Sequence, residues 1–299
     1  MSRYGLRSGY YSQLARYASE SGASIRTIVP KDGLSERITG RIFSALISSP
    51  PRDQRAAAAE LRFWLSWLRK RQGVFHVLNI DDHTPLLRCW KNAPHTLLGT
   101  LHHPPTQWCE ADLVELRKLT AGIVLCRRDA EFFKSYLRQV HLILHGVDTE
   151  FFQPASGPLS NRRNLLFVGN WLRDFQLLAE TFLLLNPRRQ DLCLNIVVEE
   201  KWRFETELVR LEGHPAVRWH HRVSDEELKR LYQQAFLLLL PLQEASASNT
   251  VVEALACGLP IVANEIGGIV DYGAGTAFEL AAESGPEGLG ALVDSYLRR

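Results

Sequence analysis

The chain has 299 residues, 45% of them hydrophobic, and a formal net charge of +2. That length and composition support substantial buried cores and predict a soluble protein of about two domains. The longest apolar runs, such as Ala235 to Leu240, fall far short of the roughly 20 residues needed to span a bilayer, and residues 1 to 20 are too polar for a secretory leader. The expected place is therefore the cytoplasm. Five cysteines (Cys89, Cys109, Cys126, Cys193 and Cys257) lie without a C-x-x-C pair, which suits reduced thiols better than a disulfide framework or a zinc site. The charge is uneven: residues 1 to 150 carry 21 Lys and Arg against 14 Asp and Glu, and residues 151 to 299 carry 14 against 19. The first half, at +7, suits an anionic partner such as a lipid surface or a phosphorylated acceptor, or else has an Arg-rich solvated face.

In chain order, "RYGLRSGYYSQLARY" places Gly5 and Gly9 before a helix near 9–20. Strands follow at "SIRTIVP", "VFHVLNI", "HTLLGTL", "GIVLC" and "VHLIL", with helices near 56–71, 110–119 and 128–138. The helix "AAAAELRFWLSWLRKR" has a broad apolar face ringed by Arg62, Arg69, Lys70 and Arg71. Core packing is its plain reading, and contact with an anionic membrane its alternative. The second half repeats the rhythm: strands at "NLLFVGN", "LCLNIVV", "AVRWH", "FLLLLPL" and "LPIVAN", and helices near 174–185, 203–211, 225–235 and 249–257. Runs of Leu, Ile and Val without in-and-out alternation suit parallel strands covered on both faces. The prediction is α/β, with two doubly wound parallel-sheet domains, residues 1–150 and 151–299. Their junction falls in the polar, Pro- and Gly-bearing segment 148–164. Such folds bind ligands at the carboxyl ends of their strands, so two facing domains imply a cleft.

The loop Glu244 to Thr250 leaves the carboxyl end of "FLLLLPL" and leads into the helix "TVVEALACG", with Ser248 or Asn249 as N-cap and Gly258 and Pro260 as its stop. Small side chains there leave backbone amides open, and the helix dipole adds partial positive charge, so a phosphate could dock. An ordinary capped turn would have the same composition. Elsewhere, Asp81 to His83 ("DDH") has the residue types of a metal site, although a strand-end turn is the plainer reading. "GAGTA" at 273–277 is followed by a strand rather than by the helix a dinucleotide site needs.

The run "PLQEASASNTVVEALACGLPIVANEIGG" resembles the donor-site signature of retaining GT-B glycosyltransferases of the family 4 type (glycosyl transferases group 1). "GTLHHPP", "LHGVDTEFFQP", "LLFVGNWLRDFQLLAETF" and "VSDEELKRLYQQAFLLLLP" resemble other segments of that family in the right order. The resemblance implies a GT-B fold and transfer of a sugar from a nucleotide-diphosphate donor with retention of configuration. It also implies no metal or other cofactor, because amides and basic side chains take the metal's place. Gly169, Asn170 and Arg173 would form the phosphate-contacting loop, and Ser246, Ala247, Ser248, Asn249 and Thr250 the small-residue wall. Arg173 suits the leaving diphosphate because its planar fork grips phosphate oxygens. Glu253 would hold the ribose hydroxyls, and a carboxylate can accept two hydrogen bonds from a vicinal diol. Glu244 would reach the transferred sugar, and His102, or its neighbour His103, would contact the donor sugar. Arg7, Ser8 and Gly9 would form the glycine loop of the N-terminal domain.

The chain also departs from that pattern. Asn170 stands where an Arg is usual, Val198 where a Gly is usual, and Glu244 lies one residue before the usual place, which here is Ala245. No apolar strand precedes the first glycine loop, and the chain ends soon after "EGLGALVDSYLRR", so the expectation is an N-terminal domain without its first strand and a short C-terminal end. Two readings follow: a glycosyltransferase acting on an unidentified glycan, lipid-linked or small-molecule acceptor, peripheral to the inner face of a membrane if the basic half meets lipid; or a non-catalytic nucleotide-sugar-binding or scaffold homologue. Neither reading involves nucleic acid. An NAD-dependent oxidoreductase is disfavoured, because no glycine-rich fingerprint follows a strand.

Overall fold

Apolar runs bounded by turn residues become short parallel strands in both halves of the chain. The computed structural model describes residues 11–22, 24–46, 53–69, 72–88, 95–157, 163–281, 283 and 285–298. Contacts divide the chain into two units, Tyr11–Ile143 and the residues from Leu144 onward.

The first unit runs α1 (Tyr11–Glu20), α2 (Leu34–Leu46), α3 (Gln54–Arg69), β1 (Val74–Val77), α4 (Thr84–Arg88), β2 (Thr96–Leu101), α5 (Glu110–Glu115), β3 (Ala121–Val124), α6 (Arg127–Phe133) and β4 (Val140–Leu142). A 3-10 turn, Ile80–Asp82, joins β1 to α4. The strands pair in parallel in chain order, with Phe75 opposite Leu97, Gly99 opposite Gly122 and Val124 opposite Leu142. The core gathers Phe43, Trp67, Ile80, Leu86, Leu116 and Phe133. The apolar face of α3 serves this core: Ala57 and Trp67 are buried, and Leu61, Phe63 and Trp64 pack against it. α2 was not evident in the sequence, and it lies so close to α3 that a Cβ on Gly40 would meet the Gln54 carbonyl oxygen at 1.6 Å.

The strand expected at 24–30 does not form. Ile25 and Val29 stand 45% and 53% exposed, and an apolar run with no strand beside it has no ladder to satisfy its backbone.

The second unit runs β5 (Asn164–Val168), α7 (Phe175–Leu185), β6 (Cys193–Val197), α8 (Glu200–Glu205), β7 (Val217–His220), α9 (Asp225–Gln234), β8 (Leu237–Leu240), α10 (Asn249–Ala256), β9 (Ile261–Asn264), β10 (Glu279–Ala281) and α11 (Pro286–Arg298). Its sheet order is β10-β9-β8-β5-β6-β7, and every pairing is parallel. Cys193–Val197 and Leu237–Leu240 are buried at every position, as strands covered on both faces must be. On one face, Phe182, Leu208, Leu289 and Val293 form a core with the odd residues of β5; on the other, Tyr232, Val251, Ala254 and Phe152 meet the even ones. Segment 144–157 packs with this unit through buried Phe151 and Phe152, and Asp148 accepts the amides of Glu150 and Phe151 at 3.2 Å each.

The chain proceeds outward from β5 to β6 and β7, then returns to lay β8 on the opposite side of β5. The carboxyl ends of β5 and β8 therefore flank the topological switch point, where doubly wound sheets open a crevice for ligands.

Candidate functional site

Two loops meet at that switch point. After β5 the chain turns at Gly169, whose φ of +102° is in the left-handed region, and a Cβ there would lie 3.1 Å from Arg173 Nη2. Glycine is needed on both counts. Leu172 also carries a positive φ, +55°. The strain is held by neighbours: Gln243 N–H donates to the Leu172 carbonyl at 3.0 Å and Asp174 N–H to Pro241 O at 3.1 Å, making Arg173 and Leu242 bridge partners. Asp174 then caps α7 by accepting from Leu177 N–H at 2.9 Å.

So anchored, the Arg173 side chain crosses the switch point. Its Nε donates to Val168 O at 3.1 Å, and its Nη2 reaches Thr250 Oγ1 at 3.1 Å and Ser248 Oγ at 3.4 Å. Arg173 also borders an open pocket with Asn170, Trp171, Trp202 and Gln243. Asn170 ties this loop to the end of β6: its Oδ1 accepts Glu199 N–H at 3.1 Å, and its Nδ2 approaches Glu199 Oε1 at 3.4 Å.

The small-residue loop is packed rather than bare. Ala245, Ser246 and Ser248 are 3%, 1% and 4% exposed, and Ser246 Oγ finds no hydrogen-bond partner among the described residues. Ser248 stands at the N-cap of α10, yet its hydroxyl makes no capping bond and faces Arg173 instead. One turn into α10, Glu253 is 3% exposed, and its Oε2 accepts the Tyr232 hydroxyl at 3.0 Å. Burial, reinforced by the Glu253 charge, raises the Tyr232 pKa well above 10, so the phenol stays a donor; the nearby Thr250 hydroxyl and Arg173 charge oppose the shift only in part. Burial likewise pushes the Cys257 thiol up to about 12, with the Glu253 charge adding to it. Arg173, Thr250, Tyr232 and Glu253 thus form one polar seam in an otherwise apolar core.

Glu244 turns back on its own backbone, Oε1 accepting Ala245 N–H at 2.8 Å. Both residues pack against the "GG" after β9. Gly268 N–H donates to Ala245 O at 2.6 Å, and a Cβ on Gly267 would come within 2.1 Å of that oxygen and 2.6 Å of Glu244 Oε1. Asn264 fixes the loop's start, exchanging bonds of 2.8 Å with the Leu242 amide and carbonyl. Ala247 and Asn249 are half-buried beside their neighbours.

His102 and His103 follow β2 in the first unit, and their amides are held by Asp81. Among the described residues no group of three His, Cys, Asp or Glu side chains is placed to hold a metal ion. Arg7, Ser8 and Gly9 lie outside the described residues. Sequence reasoning missed Tyr232, Asn264 and Gly267. Tyr232 reads as one more apolar position of an amphipathic helix, and only the fold reveals its hydroxyl beside Glu253.

Two parallel-sheet α/β units, the second with its topological switch point between β5 and β8, make a GT-B fold. Residues 162–298 match the family model described as Glycosyl transferases group 1. The chain is 31% identical over 236 residues to the MMP alpha-(1->4)-mannosyltransferase of Mycolicibacterium hassiacum, covering 68% of this chain and 56% of that protein. It is 31% identical over 140 residues to the D-inositol 3-phosphate glycosyltransferase of Arthrobacter sp. strain FB24, covering 42% and 33%. The chain thus spans between a third and somewhat over half of these curated relatives. Among solved structures, Anabaena Alr3699/HepE in complex with UDP and glucose superposes with a TM-score of 0.67 at 14% identity, covering 91% of this chain and 88% of that one. Sucrose-phosphate synthase from Thermosynechococcus elongatus gives 0.63 at 16% identity, covering 91% and 73%. At such identities the likeness is one of fold.

Proposed function

We propose that the protein is a glycosyltransferase that takes a sugar from a nucleotide-diphosphate donor seated at the β5–β8 switch point. The observation that carries this reading is the Arg173 guanidinium, laid across the switch point to the N-terminus of α10 and one turn from buried Glu253. A departing nucleoside diphosphate develops negative charge, and a fixed cation beside a helix N-terminus stabilises that charge without reorganising. Arg173 would serve the diphosphate and Glu253 the ribose diol, with Gly169 leaving room beside the Arg173 guanidinium. Support also comes from the transferase names of the curated relatives and from the UDP and glucose bound by the Anabaena protein. In this reading no metal is required, the anomeric configuration is retained, and the acceptor meets the basic first half of the chain.

A second reading, a nucleotide-sugar-binding homologue without turnover, is favoured by one observation: Glu244 is folded onto Ala245 N–H rather than extended from the loop. One experiment separates the two. The chain is screened against UDP-, GDP- and ADP-sugars by thermal shift, and each hit is assayed for donor hydrolysis and transfer. Stabilisation with nucleotide release supports the enzyme, stabilisation without release supports the binding homologue, and no stabilisation by any nucleotide sugar overturns both.

A further inference from the structure

The Asp81–His83 run places three ligand-type side chains in a row, and the three go separate ways. Asp82 accepts from Asn79 Nδ2 at 2.8 Å, and His83 Nδ1 meets Glu60 Oε1 at 2.5 Å. Asp81 turns inward to the end of β2, its side chain only 1% exposed. There its Oδ1 accepts the backbone N–H of His102 at 3.0 Å and of His103 at 2.8 Å, while Oδ2 also lies 3.0 Å from His102 N. The same Oδ2 stands 3.4 Å from Nδ1 of the His102 ring.

A carboxylate is costly to bury unless fixed donors replace its water. Two consecutive amides do so here, and charge-assisted bonds of this length are strong enough to fix the direction in which the chain leaves the strand. The ring responds to the same charge: an anionic oxygen 3.4 Å from Nδ1 favours a proton on that nitrogen and disfavours a lone pair there. Near this ring stand Asp81 from the 3-10 turn and His76 from β1, whose Nε2 bonds Thr100 Oγ1 at 2.8 Å. Burial keeps the His76 pKa below its ordinary value, and the proximity of His102 adds to the shift.

We propose that Asp81 is a positioning residue for His102: it sets the course of the His102–His103 turn and selects the tautomer that carries its proton on Nδ1 and leaves Nε2 as the acceptor. The chemical consequence rests on the glycosyl-transfer reading, whereas the tautomer stands on geometry alone.

The test begins with nitrogen-15 NMR of the histidine rings in the full chain. In the unmodified protein His102 is expected with Nδ1 protonated and Nε2 bare, and in Asp81→Asn that preference is expected to fade. For any donor found by the screen, Asp81→Asn should lower kcat by about tenfold to a hundredfold, the cost of misplacing a reacting group, while KM for the nucleotide sugar stays within about twofold. Adding His102→Ala to Asp81→Asn should then cost no more than His102→Ala alone. A His102 ring protonated on Nε2, or a pattern unmoved by Asp81→Asn, overturns the proposal, as does full transfer by Asp81→Asn where His102→Ala is impaired. If Asp81→Asn does not fold, the unmodified spectrum decides the tautomer by itself. If no donor is turned over, the transfer reading fails while the ring pattern still decides this one.

Discussion

Arg173 and Glu253 are joined through Thr250 and Tyr232, so their substitutions should not behave alike. Arg173→Ala removes a cation that holds Val168 O and two hydroxyls. If that cation stabilises the departing diphosphate, transfer should fall by two orders of magnitude or more, as when a preorganised donor is lost, and a melting curve displaced by only a few degrees would separate this from unfolding. Glu253→Gln keeps the shape of a buried side chain and should weaken nucleotide binding by about 1–3 kcal/mol, the range for a hydrogen bond to a charged group; calorimetry at unchanged affinity would remove Glu253 from the ribose. Tyr232→Phe serves as the control. It leaves Glu253 Oε2 without its phenolic donor and should cost about 1–3 kcal/mol in folding. At this scale the sequence showed where Arg173 and Glu253 lie, one just past a strand end and the other on the helix after the small-residue loop. Tyr232 was opaque because its apolar ring and its polar hydroxyl give one helical position two readings.

Elements divide in a similar way. β5 and β8 were evident as apolar runs, since a strand buried on both faces has no alternation to hide. Residues 24–30 have the same local pattern and form no strand, because a ladder requires a neighbour that local pattern does not supply. α2 escaped notice because its packing depends on Gly40, a residue that propensity counts against a helix. The loop after β5 yields a test at this scale. Gly169→Ala would put a methyl group against the Arg173 guanidinium at a φ of +102°, a backbone cost of about 1–2 kcal/mol. Nucleotide affinity should drop further than stability, because the displaced group is the guanidinium; an equal loss in both, read by calorimetry and chemical denaturation, would show that Arg173 does not border the ligand.

At the scale of the whole molecule, two of the described histidines, His76 and His220, bind protons less readily folded than unfolded. Burial lowers the pKa of His76 in the first unit and of His220 in the second below the ordinary 6.5. Below that pH the unfolded chain takes up protons that the folded chain refuses, so their contribution to stability is present above about 6.5 and lost as pH falls beneath it. Denaturation midpoints should therefore decline as pH is lowered from about 7 to 5, and replacing both histidines by Gln should flatten the decline. The two-unit α/β architecture was readable from alternating strand and helix periods, and the resemblance implied the GT-B fold. What neither gave is the order of strands, on which the crevice depends. β5 and β8 are neighbours in the sheet, with Leu166 opposite Leu238, although β6 and β7 lie between them in the chain. That long loop must close before Arg173 can meet Thr250, and closure across such separations is the slow part of folding. During refolding, nucleotide binding should consequently recover after helical signal has returned, so that ligand capture reports the pairing of β5 with β8.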